Sequence, residues 1–132
     1  MSLPITLTMA AAAGLINLWL AIRIGQVRIS QKVSIGDGGN EFVIRRMRAQ
    51  ANFVEFTPFV LVLIAALELS GFGGTWLWAV GIIYMVSRLA HGLGMDGGAF
   101  KLGRMIGTLI SMLTLLALSG YAIYVASIIP VA

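Results

Sequence analysis

The sequence predicts an all-α integral membrane protein: one domain over residues 1–132, built as a bundle of four spanning helices. Three observations carry that prediction. Hydrophobic residues make up 59% of the chain and charged residues 11%, against about 25% charged in a soluble domain, and the mean hydropathy is +0.97. The apolar residues gather into four runs of a length that can cross a hydrocarbon core of about 30 Å as helices. The basic residues are just as segregated, all nine lying at or beside two of the three connections.

The first helix is expected over residues 3–30. Leu3 to Ile22 is an uncharged run of 20 residues, a complete span. A cleaved signal peptide is the competing reading, and the missing basic n-region argues against it. The helix leaves the membrane near Arg23 or Arg28, and Asn17 inside it is expected to hydrogen-bond a neighbouring helix. Residues 32–40, KVSIGDGGN, read as a loop. The second helix, residues 41–69, opens at Glu41, and Pro58 is expected to kink it. Residues 70–75, SGFGGT, form a tight turn, followed by Trp76 and Trp78 as interfacial anchors. The third helix, residues 76–93, carries Arg88 and His91 on one face of its last turns. After a glycine-rich loop at 94–103, the fourth helix runs over residues 104–129 and is uncharged beyond Arg104. Gly103 and Gly107, with Thr108 and Ser111 following, favour close helix packing.

Composition also excludes several chemistries. Cysteine is absent, so there is no disulfide framework, thiolate metal site or cysteine nucleophile. His91 is the only histidine and builds no metal site alone. The net charge of +4 does not point to nucleic acid, because the basic residues alternate with spanning segments. Their placement instead orients the chain. By the positive-inside rule the 1–2 and 3–4 loops face the cytoplasm and both termini lie outside, and the compact length suggests a bacterial inner membrane. Arg23, Lys32, Arg46 and Lys101 read as topology determinants, and Glu68 is the one charge expected at the opposite surface.

Residues 45–58, RRMRAQANFVEFTP, stand apart. Arg45, Arg48, Asn52 and Glu55 fall within an arc of roughly 80° on one helix face. A charge at the centre of a span costs about 2.5–3.5 kcal/mol even on a lenient insertion scale, so the stripe requires a partner. Glu55 stands seven residues from Arg48, about 10.5 Å along the axis. It is expected to draw its partner from Arg28, Arg88 or Arg104 on other helices, or from a cationic ligand group. A ligand complementary to these guanidinium groups, one carboxylate, the amides of Gln50 and Asn52 and one imidazole carries at least two carboxylates and an ammonium. A small acidic peptide fits.

The run Arg48-Ala49-Gln50-Ala51-Asn52-Phe53-Val54-Glu55-Phe56-Thr57-Pro58 resembles the R-A-x-x-N-x-x-E-x-x-P helix-2 motif of the membrane-associated proteins of eicosanoid and glutathione metabolism, the MAPEG family. That family includes microsomal glutathione transferases, leukotriene-C synthase and microsomal prostaglandin-E synthase. Gly25-Gln26-Val27-Arg28 is similar to its helix-1 end, Arg88-Leu89-Ala90-His91 to its helix-3 end, and Arg104 to the arginine that opens helix 4. The resemblance implies a homotrimer holding glutathione between subunits, in a U-shaped pose near the cytoplasmic surface. Arg48, Gln50, Asn52 and Glu55 would bind the peptide, and Arg28, Arg88 and His91 would complete the pocket. Arg104 would be the catalytic residue, stabilising the thiolate for attack on an apolar or lipid-like electrophile from the bilayer, in a transferase or peroxidase. Phe56 and Met95 stand where members of the family often have ligand-binding tyrosines. The alternative is therefore a non-enzymatic lipid- or glutathione-binding scaffold of the same fold.

Overall fold

A computed structural model describes residues 2–131. Four helices, α1 (Pro4–Gln31), α2 (Glu41–Leu69), α3 (Thr75–Gly94) and α4 (Leu102–Ile128), account for most of it, with a 3₁₀ turn at Gly98–Phe100 before α4. No strand occurs among the described residues. Each of the four is long and apolar enough to span a membrane, so the all-α class and the four spans stand as the sequence predicts them.

Local chemistry sets the helix ends. Pro4 opens α1 with the φ that a first helical turn needs, but Leu3 supplies no side-chain cap. The cap comes from the far end of α2. Glu68 accepts from the amides of Ile5 and Thr6, both at 2.9 Å, and from the Thr6 hydroxyl at 2.8 Å. The solitary far-end charge thus satisfies helix-terminal donors that would otherwise lie bare. Asn40 caps α2, its side-chain oxygen accepting from Phe42 at 3.0 Å and Val43 at 3.2 Å. α2 then runs from Glu41 to Leu69 as one helix through Pro58.

The helices pack in the cyclic order α1–α2–α4–α3, with the α1–α2 and α3–α4 pairs in most extensive contact. Small residues set the α3–α4 approach. A Cβ at Gly107 would press on His91 and the Ser87 carbonyl, and one at Gly103 on the Ala90 carbonyl, so the expected glycine pair lies at the crossing. Gly81 and Gly92 play the same part against Met9 and Trp19 of α1. The core is mostly apolar, with Leu20, Val60, Ile64, Leu77 and Leu118 at 2% exposure or less, and a few polar side chains, Arg88 and Ser111 among them, are buried with it. The outer faces are apolar too, for Leu7, Leu15, Leu116 and Ile123 are all exposed. Helices hydrophobic on every side belong in lipid. Trp76 packs edge-on to Tyr121 of α4, ring centres 5.1 Å apart.

Candidate functional site at the arginine-rich end

The C-termini of α1 and α3 and the N-termini of α2 and α4 meet at one end of the bundle, and the polar residues assemble there. Arg23 and Arg46 are more than topology determinants. Both bind Asp96 in the α3–α4 connection, Arg23 through Nη2 to Oδ2, and Arg46 as a two-pronged fork at 3.1 Å on each oxygen. Arg46 also donates to the Arg23 carbonyl at 2.8 Å, and Arg45 donates to the Asp96 carbonyl at 3.1 Å.

One turn deeper, the sequence places Arg48 and Glu55 too far apart to pair within one helix, and the structure corrects this. Nη2 of Arg48 stands 3.6 Å from Oε1 of Glu55, with both side chains more than half exposed. Seven residues are two turns, so the two share a face, and the rise of about 10.5 Å is within their combined reach. An exposed pair of this kind contributes at most about 1 kcal/mol, so a ligand bearing both charges can replace it.

Behind this pair, Arg88 is buried at 1% exposure. It donates to Asn52 Oδ1 at 2.6 Å and to the Ser111 hydroxyl at 2.8 Å. Its guanidinium carbon lies 5.9 Å and 5.7 Å from the ring centres of Phe53 and Phe56, and its Nε has no partner. Arg88 therefore fixes the half-buried Asn52 amide through its oxygen. His91, 3% exposed, packs against Gly107 at the α3–α4 crossing.

The other candidates occupy separate grooves. Arg28 donates to the Gly36 carbonyl and lines a cavity of about 360 Å³ with Gln50, Met47 and Val54. Gln50 donates to Asn17 at 3.2 Å, the interhelical bond expected of Asn17. Glu55 opens a groove of about 580 Å³ between α2 and α4, lined by Phe56, Phe59, Val62 and Leu115. Arg104, exposed in the first turn of α4, faces a third, of about 450 Å³, with Lys101, Met105 and Thr108. Within one chain Arg48 meets Glu55 and Asn52 meets Arg88, while Arg104 lines a groove of its own. Sequence reasoning missed Asp96, which lies within the glycine-rich 94–103 loop, and Ser111, taken only as a small residue at a packing face.

Such a molecule is a four-span membrane protein with an arginine-rich pole, on which Glu55 is held in an exposed ion pair with Arg48. The chain belongs to the MAPEG family, whose model matches residues 6–124. It is similar to the inner membrane protein YecN of Escherichia coli strain K12, at 28% identity over 93 residues covering 70% of each chain. The protein of the same name in Escherichia coli O6:H1 matches to the same extent.

Proposed function

We propose that the protein is a membrane-bound glutathione-dependent transferase, with peroxidase chemistry open to the same thiolate. The observation that carries the reading is the α2 stripe. Arg48 and Glu55 present one positive and one negative group to the outside, and Asn52 between them is oriented from behind by Arg88. Glutathione offers two carboxylates, an ammonium and two peptide amides. Its carboxylates take Arg48 and Arg28, its ammonium takes Glu55, and Gln50 and Asn52 meet its amides. Arg88 acts through Asn52, and His91 closes the wall behind it.

Arg104 completes the site in a homotrimer, the assembly that family membership suggests; in a single chain its groove and the Glu55 groove share no lining residue. Its guanidinium holds the sulfur as thiolate while the thiol proton leaves to solvent. The thiolate then forms a carbon–sulfur bond with an apolar or lipid-like electrophile delivered from the bilayer, whose leaving group departs with the electron pair of the broken bond or, in an addition, whose opened π bond takes up a proton from solvent. Lowering a thiol pKa by two units takes about 2.7 kcal/mol of differential stabilisation, within the scope of one desolvated guanidinium. The inner membrane is the proposed address, shared with the similar YecN proteins, with the two arginine-bearing connections cytoplasmic and both termini outside.

A second reading, glutathione or lipid binding without turnover, is favoured by Phe56, which offers Arg88 an aromatic face and no hydroxyl. One titration separates the two. Glutathione added to the detergent-solubilised protein, followed by thiolate absorbance against pH, is expected to show a pKa below that of free glutathione, and Arg104→Ala to abolish the shift. Binding with an unshifted pKa and no conjugation of apolar electrophiles assigns the protein to the scaffold reading. Glu55→Gln is expected to weaken glutathione by about 1.5–3 kcal/mol through loss of a charge-assisted contact, and equal calorimetric affinity for both proteins removes Glu55 from the site.

A further inference from the structure

We infer that Asp96 is a positioning residue, which ties the α3–α4 connection to α1 and α2 and thereby sets where Arg104 stands relative to the α2 stripe. The inference rests on the reading of Arg104 as the thiolate partner. Both carboxylate oxygens of Asp96 are engaged, Oδ1 by Arg46 and Oδ2 by Arg46 and Arg23, and its carbonyl is engaged by Arg45. One residue of the connection therefore holds a helix that carries Arg28 and a helix that carries Arg48, Asn52 and Glu55. The side chains of Arg23, Arg46 and Asp96 are 15%, 22% and 35% exposed. A forked and networked pair of this kind resists screening better than an isolated exposed one.

From Asp96 the constraint reaches Arg104 through short contacts. Gly97, at φ 81°, lies so close to Arg45 that a Cβ would come within 2.6 Å of its Nη1. Only glycine accepts that backbone conformation without strain, and it lets the guanidinium lie on the chain. Hydrogen bonds then follow from Gly97 to the Gly94 carbonyl, Lys101 to Gly98 and Arg104 to Lys101, at 3.1–3.3 Å. At the far end the Arg104 amide sits against Gly94 with no room for a Cβ. The nine residues from Asp96 to Arg104 thus form one braced piece. Without the carboxylate, Arg23 and Arg46 would repel each other where they now converge.

Two readouts test this on the full-length protein. Hydrogen–deuterium exchange over residues 97–104 reports the brace without glutathione, and thiolate absorbance of bound glutathione reports Arg104. Asp96→Asn is expected to speed exchange in that segment. It is also expected to move the bound thiol about one pKa unit toward the free value, a tenfold loss of thiolate, with glutathione affinity changed less than about threefold. Asp96→Glu, which keeps the charge, should recover most of the shift. Unchanged exchange in Asp96→Asn overturns the brace, and faster exchange with an unchanged thiol pKa overturns the positioning role. A wild-type protein with no depressed thiol pKa overturns the transferase reading itself and the positioning role with it, even where exchange responds. Should Asp96→Asn not fold, Arg23→Gln, which removes one donor from the same carboxylate, takes its place in both measurements.

Discussion

Arg88 carries its charge into the middle of the bundle and finds there two neutral acceptors, Ser111 and Asn52, flanked by two phenyl rings. A buried guanidinium is tolerable only while its donors are occupied, and the unpartnered Nε shows how little is in reserve. Truncation would leave both acceptors unsatisfied beside a cavity. Arg88→Ala is therefore expected to lower stability by about 2–4 kcal/mol, and Arg88→Lys by less, since an ammonium keeps the charge but cannot fork to both acceptors. Unfolding in sodium dodecyl sulfate followed by far-ultraviolet circular dichroism measures both, and identical midpoints for all three proteins would contradict the role. The motif had marked Arg88 as polar on a helix face, and it bore no mark of whether that face met a ligand or the core.

Two interactions between helices can be tested in the same way. Loss of the carboxylate in Glu68→Ala strips the cap from α1 and is expected to cost about 1–2 kcal/mol, with faster exchange at the Ile5 and Thr6 amides as its local mark. At the α3–α4 crossing, Gly107→Ala must push on His91 and on the Ser87 backbone. Overpacking there is expected to cost about 1–3 kcal/mol, and a variant as stable as wild type would mean that the crossing yields. The glycine spacing was legible in the sequence because helix period alone puts Gly103 and Gly107 on one face. Glu68 and Asp96 were not legible as partners, because they act across 50–73 residues of chain and periodicity names a face without naming its neighbour. The Arg48–Glu55 pair is hidden in the sequence for a different reason: the axial rise of seven residues exceeds a contact distance, and only the reach of two long side chains closes it.

For the whole molecule, the four spans follow from composition and the segregation of charge, which is why they were readable from the chain alone. The cyclic order of the helices has no such source, since it depends on which small residues face one another. The proposed orientation is open to a direct test, because a chain without cysteine accepts single ones as reporters. In intact cells with a permeabilised outer membrane, an impermeant maleimide is expected to label Ser2→Cys and spare Ser34→Cys, with the opposite pattern in inverted vesicles. The reverse assignment would place the candidate site on the outer face.

The Glu68 cap also bears on the sequence of events during synthesis. Helix α1 cannot have its first amides satisfied by protein until residue 68 has been made, and by then α2 is complete while α3 and α4 do not yet exist. Arg46 meets the Arg23 carbonyl at the other end of the same pair, so the first hairpin can be fastened at both ends once it has left the ribosome and before the second has emerged. Asp96 arrives later and fastens the second hairpin onto it. The chain is thus suited to assembly as two successive hairpins, and a ribosome stalled once residue 69 has cleared its exit tunnel should already hold a protease-resistant first half.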